Sequence, residues 1–283
     1  MKIASYIHNG AASYGAVVDD GIIDLRSRIG ETYPDLLSLI QAQALDEAAA
    51  AVAGESADVG VDAIIFLPLI PAPVNVFCTG INYMDHVLET GNEPPEVPVM
   101  FMKLQQSLVG HDQPLIRPKV SIQFDYEVEL CVVIGQRGHN IAIEDALSYV
   151  VGYTCLMDGS IRDFQKIAVD EGKNFYHSSS VGPWMVTPDE LPDAASMRIE
   201  GRLNGQVMQH STLDQLIHGV DYLISYYSQI VELQPGDMIS TGTCGGVGHR
   251  RTPPVYMKAG DVFETEITGI GVLSNPVIDA QRS

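Results

Sequence analysis

Residues 122–134 read Ile-Gln-Phe-Asp-Tyr-Glu-Val-Glu-Leu-Cys-Val-Val-Ile, and this stretch constrains the fold more than any other in the chain. In a β-strand alternate residues share a face. Asp125, Glu127 and Glu129 therefore point one way, and Phe124, Tyr126, Val128 and Leu130 the other. The acidic face continues as Cys131 and Val133, and the opposite face is apolar throughout. The reading is a strand that runs into a core with carboxylates at its mouth. Acids two apart sit roughly 6–7 Å from one another at Cα, near enough to repel and to raise at least one pKa. A divalent cation removes that cost, and an all-oxygen ligand set suits Mg²⁺, Mn²⁺ or Ca²⁺ rather than zinc. The same spacing also suits a solvated strand face, and the stretch by itself does not separate the two.

Charge narrows the partners. The 283 residues include 36 acidic and 16 basic side chains, a formal net charge of −20. Nucleic acid needs a basic footprint, so it is excluded as a partner, and so are anionic membrane surfaces. The same balance accommodates a bound cation. With 46% hydrophobic residues the chain can bury a substantial core. The longest apolar stretch, 63–76, is broken by Pro68, Pro71 and Pro73, which argues against a bilayer span. The N-terminus lacks an apolar signal core, so the expected compartment is the cytoplasm. Cys78, Cys131, Cys155 and Cys244 lie far apart, which disfavours both a disulfide framework and a zinc site.

Along the chain, residues 2–6, 12–18 and 21–25 read as strands, the last two joined at Asp19-Asp20-Gly21, where Asp-Gly is a hairpin signal. Residues 35–53 suggest one or two helices ending at Gly54, and the proline-rich 67–73 a linker. This predicts a small N-terminal α+β module over 1–70 and a larger domain over 71–283. In the larger part, strands are predicted at 128–134, 197–203, 238–241, 262–267 and 271–273. Helices are predicted at 143–150 and 212–230, the second capped by Ser211 or Thr212. Many strands with few helices point to a β-rich α+β fold.

Further polar groups surround the acidic strand in sequence. Asp158 ends the apolar run 152–157, where a strand gives way to a loop; taken alone, an ordinary helix cap is the commoner reading. Lys173 could stabilise negative charge developing on a substrate oxygen, or could be a surface lysine. His86 and Glu89 are three apart and share a face on a helix, so the carboxylate can orient the imidazole as a general base; the pair also suits a polar surface. The glycine-rich 241–248 lacks the signature of a phosphate or dinucleotide loop, and either approaches a ligand closely or is a plain turn. Arg250 and Arg251 follow it, placed for a distal substrate carboxylate or for solvent.

In order along the chain, these pieces resemble the fumarylacetoacetate hydrolase family. The residues that carry the resemblance begin with Gly80-Ile81-Asn82-Tyr83, Asp85-His86 and Glu89, then Phe101-Met102-Lys103 with Ser107. They continue through Asp125 to Leu130, Gly152-Tyr153-Thr154 with Asp158, Arg162-Asp163 with Gln165, and Lys173-Asn174-Phe175. Gly182-Pro183, Asn204-Gly205, Gly236-Asp237 and Thr241-Gly242-Thr243 with Gly246-Val247-Gly248 complete the set. The resemblance implies a rolled, mixed β-sheet core, a homodimer and a bound Mg²⁺ or similar ion. It implies Glu127, Glu129 and Asp158 as the metal ligands, with Asp125 beside them rather than among them. His86 and Glu89 match a base pair carried on a mobile lid in relatives, and Lys173 matches the site lysine. Arg162, Gln165, Tyr83 and Thr243 are the implied substrate contacts. Met157, Leu104 and Cys244 depart from the common pattern, but none of these removes a ligand or the base.

The implied chemistry is Mg²⁺-dependent hydrolysis of an acylpyruvate to pyruvate and a carboxylic acid, in aromatic or sugar-acid catabolism. The same site serves oxaloacetate decarboxylation and isomerisation of muconate-type acids in this family. A non-catalytic protein binding metal or organic acid is the reading from another class. The joint presence of His86, Glu89 and Lys173 argues against it, because binding alone needs no general base.

Overall fold

The acidic strand forms as Val128–Ile134, with every residue in it buried, in a computed structural model that describes residues 1–19, 21–91, 93–192 and 196–281. It pairs antiparallel with Val150–Met157 on one side and with Met238–Thr243 on the other. These three strands sit within a large mixed sheet. On one flank Met238–Thr243 pairs parallel with Val76–Gly80, which pairs with Val99–Met102. On the other flank Val150–Met157 is followed by Ser179–Val186, then Lys2–His8, Ala11–Val18 and Gly21–Asp24. A second sheet of five strands runs Gln206–Thr212, Arg198–Leu203, Val262–Ile267, Gly271–Asp279 and Leu115–Arg117.

The two faces of the central strand are covered differently, as its alternation requires. Val128 and Leu130 pack with Ile199, Leu203, Phe263 and Leu273 of the second sheet, and Tyr126 stacks on Phe263 with ring centroids 4.7 Å apart. Val132 and Ile134 continue that face beneath the helix Val220–Ile230, against Leu223, Ile224 and Tyr227. Cys131 and Val133 face the other way, onto the N-terminal helices through Leu36, Leu39, Ile40 and Ala48. Burial on both faces is what a strand this apolar needs. The architecture is the expected β-rich α+β fold, with a mixed sheet closed over by a second one. All four cysteines are buried and free, and no helix among the described residues is long and apolar enough to cross a membrane.

Several local expectations change. The hairpin at Asp19-Asp20-Gly21 forms, with Val18 opposite Gly21 and Asp19 at φ 44°; Asp20 itself lies outside the described residues. The helix predicted over 212–230 begins only at Val220, with Gly219 at its cap, so neither Ser211 nor Thr212 caps it. Those two residues end the strand Gln206–Thr212 instead. The tight turn at Asn204-Gly205, both at positive φ, sets Gln206 opposite Leu203 and draws the segment into the sheet. The helix predicted over 143–150 shrinks to a short 3₁₀ turn, Ala146–Tyr149, because Val150 already begins a strand. The proline-rich stretch expected as a linker is packed: Leu69 and Ile70 are buried among Leu36, Leu39 and Ile40, and Ser5 Oγ donates to the Leu69 carbonyl at 2.6 Å. Lys2–His8 pairs with Ser179–Val186, so the N-terminal residues extend the same sheet that carries the acids.

Candidate active site

The three acids expected as metal ligands converge through strand register. Glu127 lies just before Val128–Ile134, and Asp158 just after Val150–Met157. Because Val128 pairs with Met157, the Asp158 amide donates to the Glu127 carbonyl at 2.9 Å. Glu129, inside the strand, accepts hydrogen bonds from Ser240 Oγ and from the Gly242 amide, the latter at 3.1 Å. Gly242 sits at φ 95°, where a Cβ would lie 2.8 Å from the Thr79 carbonyl, so the approach of its amide to Glu129 depends on glycine. One carboxylate oxygen from each of Glu127, Glu129 and Asp158 lies within 4.8 Å of the others. The three residues are 6%, 1% and 0% exposed.

Buried charge at this density needs compensation. Lys173 Nζ bridges Glu127 Oε2 at 2.5 Å and Asp158 Oδ2 at 2.7 Å. Arg162 Nη2 meets Glu127 Oε1 at 2.7 Å, and Lys103 Nζ meets Asp158 Oδ1 at 2.6 Å. Burial resists ionisation of Glu127, but the charges of Lys173 and Arg162 outweigh it and hold its carboxyl down at about 2. Glu129 is pushed the other way, well above the ordinary carboxylate range, by burial and then by the charges of Asp158 and Glu127. Its hydrogen-bond donors do not offset this. A divalent cation among the three acids would supply the missing positive charge, and three carboxylates form the hard-oxygen donor set that Mg²⁺ and Mn²⁺ take. The residues present therefore fit such an ion.

A pH dependence follows from Glu129. Its folded pKa is raised above the ordinary 4.5, so its ionisation costs no stability below that pH and an increasing amount as the pH rises above it. A cation removes that cost by displacing the proton. Binding of Mn²⁺ or Mg²⁺ is therefore expected to release a proton and to tighten with rising pH. Calorimetric titration in two buffers of different ionisation enthalpy measures the release directly. Equal apparent enthalpies in both buffers would contradict it.

The helix Met84–Thr90 carries the proposed base and ends at Gly91, φ 70°. His86 Nδ1 lies 3.1 Å from Glu89 Oε2, and Glu89 Oε1 accepts from the Gly246 amide at 2.9 Å. The glycine-rich turn thus holds the carboxylate that holds the imidazole. His86 faces a cavity of about 510 Å³ whose wall also includes Glu127, Arg162, Gln165, Lys173 and Thr243. Gln165 Oε1 accepts from Arg162 Nη1 at 2.8 Å, and Thr243 Oγ1 accepts from Gln209 Nε2 at 2.8 Å.

Tyr83 is placed otherwise. It is fully buried in the core with Leu216 and Cys244 and is not part of the cavity wall, because the residue before the helix turns its ring inward. Asp125 is a clamp rather than a ligand. It accepts from Arg162 Nε at 2.8 Å and from the amides of Gly248 and His249 at 2.8 and 2.9 Å. At Gly248 a Cβ would fall 1.9 Å from the Val255 carbonyl, so this junction also needs glycine. The two arginines after the turn part company. Arg250 lines the cavity, whereas Arg251 turns back to the carbonyls of Gly246 and Met208.

Sequence reasoning assigned no role to Lys103 or His249. Lys103 is 3% exposed; a lysine directly after the apolar strand Val99–Met102 was the available signal. His249 lines the cavity with its Nδ1 2.7 Å from the Tyr256 hydroxyl, and nothing in its local sequence marks it.

Comparison with known proteins agrees with this geometry. The profile described as fumarylacetoacetate (FAA) hydrolase C-terminal matches residues 75–278. The chain is 42% identical over 219 residues to the mitochondrial oxaloacetate tautomerase fahd2 of Xenopus laevis, covering 76% of this chain and 69% of that protein. Among solved structures, the fumarylacetoacetate hydrolase of Exiguobacterium antarcticum is 33% identical with a TM-score of 0.83, over 99% of this chain and all of that one. The maleylpyruvate hydrolase of Sphingobium sp. SYK-6, in complex with manganese(II) and pyruvate, is 27% identical with a TM-score of 0.83 over the same shares. With a profile match over most of its length, and with Glu127 of the acid triad, Lys173 and His86 on one cavity wall, the chain belongs to the fumarylacetoacetate hydrolase family.

Proposed function

We propose that this protein hydrolyses the C–C bond of an acylpyruvate-type 1,3-dicarbonyl acid, giving pyruvate and a carboxylic acid. The observation that carries the reading is the His86–Glu89 pair, fixed through Gly246, with His86 on the wall of the cavity that Glu127 of the acid triad also lines. Mg²⁺, or Mn²⁺ or Ca²⁺ in its place, held by Glu127, Glu129 and Asp158, would supply Lewis-acid stabilisation of the charge that develops on a 2-oxo acid.

The remaining work falls to the side chains. Glu89 is an acceptor, so Nδ1 of His86 carries the proton between them and Nε2 is left to accept one from water. That water adds to the carbonyl carbon farther from the carboxylate, and its proton moves to Nε2. The C–C bond then breaks, its electron pair staying on the methylene carbon of the departing pyruvate enolate. The proton on Nε2 is returned to that carbon, and the acyl part leaves as a carboxylic acid. Lys173 and Arg162 keep positive charge beside the acids throughout. Gln165 and Thr243 offer polar contacts on the wall. Likeness to a maleylpyruvate hydrolase whose structure includes manganese and pyruvate supports this reading.

A second reading has its own support in the 42% identity to an oxaloacetate tautomerase. Keto–enol interconversion moves a proton between carbon and oxygen; it uses His86 but no added water. A panel of acylpyruvates, oxaloacetate and hydroxymuconate analogues, with Mg²⁺ and with EDTA, separates the readings when pyruvate, CO₂ and isomer are followed independently. Pyruvate from an acylpyruvate, lost in EDTA, is the expected result. Enol-to-keto conversion of oxaloacetate with no acylpyruvate cleavage would replace hydrolysis by tautomerisation, and CO₂ release would mark decarboxylation. No turnover at all, despite metal binding, would favour a binding protein.

A further inference from the structure

The loop after the glycine-rich turn folds back on itself. The Gly248 carbonyl accepts from the Val255 amide at 2.9 Å, and the Met257 amide donates to the Phe124 carbonyl at 2.8 Å. Closing Gly248 against Val255 sets the residues next to them side by side, and His249 Nδ1 lies 2.7 Å from the Tyr256 hydroxyl. The His249 amide is fixed as well: it donates to Asp125 at 2.9 Å, and Asp125 accepts from Arg162 at 2.8 Å. Main chain and ring are both held before any substrate arrives.

These contacts place the proton on the ring. Burial pushes the Tyr256 phenol up, so it keeps its proton, and among the described residues Nδ1 is its one hydrogen-bond partner. The imidazole is held below its ordinary pKa by burial and then by the charge of Arg162, against the opposing pull of Asp125, so it is neutral at neutral pH. A neutral ring that accepts at Nδ1 carries its proton on Nε2. His249 is on the cavity wall and Tyr256 is not. Nδ1 is therefore turned to the protein, and Nε2–H, which has no partner among the described residues, is left to the cavity. His86 is in the opposite state, with Nδ1 donating to Glu89 and Nε2 free to accept. One wall thus carries a histidine that takes a proton and a histidine that offers a hydrogen bond.

Hydrolysis of a 1,3-dicarbonyl acid calls for both. When water adds to the carbonyl farther from the carboxylate, that oxygen becomes an alkoxide. The buried cations are already committed. Arg162 meets Asp125, Gln165 and Glu127 through Nε, Nη1 and Nη2, and Lys173 lies between Glu127 and Asp158. The reacting carbonyl lies two carbons farther out than the 2-oxo carbon, and His249 is half-buried, between buried Arg162 and its exposed neighbour Arg250.

We propose that His249 is a further catalytic residue, donating from Nε2 to the distal carbonyl oxygen of the substrate, and that Tyr256 is the positioning residue that fixes its tautomer. This rests on the reading of the site as one that cleaves 1,3-dicarbonyl acids. As water adds, the π pair of the C=O bond moves onto its oxygen, which Nε2–H holds without giving up its proton, while the proton of the water goes to His86. On collapse that pair re-forms the C=O bond, the C–C bond breaks toward the methylene carbon, and His249 ends as it began. A donor already aimed at the developing charge needs no reorganisation during the step.

The test uses three variants of the full chain, His249→Phe, His249→Gln and Tyr256→Phe, with acylpyruvate kinetics and Mg²⁺ calorimetry on each. H249F is expected to lower kcat by about 10²–10³-fold, the usual loss for one such donor, with a smaller change in KM. H249Q keeps an N–H near the position of Nε2 and should recover most of that loss. Y256F should fall between H249F and the natural protein. Mg²⁺ affinity should be unchanged in all three, because the acid triad and the main-chain donors to Asp125 are retained. In ¹⁵N-histidine spectra the His249 signals, identified by their absence in H249Q, should show the proton on Nε2, with that preference weakened in Y256F. An H249F variant at the natural rate, an H249Q variant as slow as H249F, a proton on Nδ1, or Mg²⁺ affinity lost in step with the rate would each overturn the proposal. A phosphinate with tetrahedral phosphorus in place of the distal carbonyl carbon gives a readout without turnover. The Mg²⁺-loaded natural protein should bind it about tenfold or more tightly than H249F does, as loss of a hydrogen bond to a charged oxygen implies. If that difference holds and no acylpyruvate is cleaved, the hydrolase reading falls and the His249 contact survives; cleavage that does not depend on His249 does the reverse.

Discussion

Replacing His86 by alanine is expected to slow acylpyruvate hydrolysis by about 10²–10⁴-fold, the usual contribution of a positioned general base. The loss should fall on kcat, since the imidazole acts on water and the 2-oxo head is held elsewhere in the cavity. His86 is 8% exposed and hydrogen-bonded mainly to Glu89, so its removal leaves no large cavity in the core, and the Tm should change little. Glu89→Gln should also lower the rate strongly, because Glu89 accepts from both Nδ1 and the Gly246 amide and glutamine has one acceptor oxygen; with that oxygen on Gly246, its NH2 faces the ring and favours the wrong tautomer. Oxaloacetate decarboxylation needs no activated water and should tolerate H86A better than hydrolysis does. Steady-state kinetics on both substrates check this. Undiminished hydrolysis in H86A would remove histidine from the mechanism.

Replacing Lys173 by methionine is expected to have the largest effect on stability. The ammonium is buried between Glu127 and Asp158 at 2.5 and 2.7 Å. Burial alone would lower its pKa, but Asp158 and Glu127 more than reverse that, so it stays charged at all working pH. Removing one partner of a buried ion pair strands the other and costs about 3–5 kcal/mol. The sign for Glu127 is the reverse of that for Glu129. With its carboxyl at about 2, its contribution is present above the ordinary 4.5 and is lost as pH falls through 2. In K173M that contribution shrinks, and the acid sensitivity should shrink with it. Mg²⁺ should restore part of the lost stability, because it adds positive charge among the same oxygens. Urea unfolding at neutral pH, with and without Mg²⁺, measures both. An unchanged midpoint in the metal-free variant would mean that Lys103 and Arg162 already suffice for the triad.

Much of this was legible from residue order. The alternation of acids and apolar residues over 124–130 predicted which side chains share a face, and the structure keeps that division: Tyr126, Val128 and Leu130 in one core, Cys131 and Val133 in another. The hairpin at Gly21 and the strands at 128–134 and 262–267 were equally clear, since turn chemistry and period-two patterning are local. Local signals failed where a distant partner outweighed them. Residues 212–219 look helical by themselves, yet Thr212 is drawn to Arg198 in the second sheet. Leu69 and Ile70 look like a linker among prolines, yet they fill space beneath the N-terminal helices.

The carboxylate strand shows the division most clearly. Its own sequence predicted three acids on one face of a single strand, but only Glu129 lies within Val128–Ile134: Glu127 precedes it, and Asp125 belongs to the short strand Phe124–Asp125, which pairs with Ser160–Ile161. Nor did that sequence determine which of them would meet Asp158. That depended on Val128 pairing with Met157, a register chosen by how both strands fill the core between the two sheets. The placements of Asp125, Lys103 and Tyr83 were decided at the same level. A chain lists its charges in order, but which oxygen lies within 3 Å of which nitrogen is fixed by long-range pairing, and only the folded sheet sets the register.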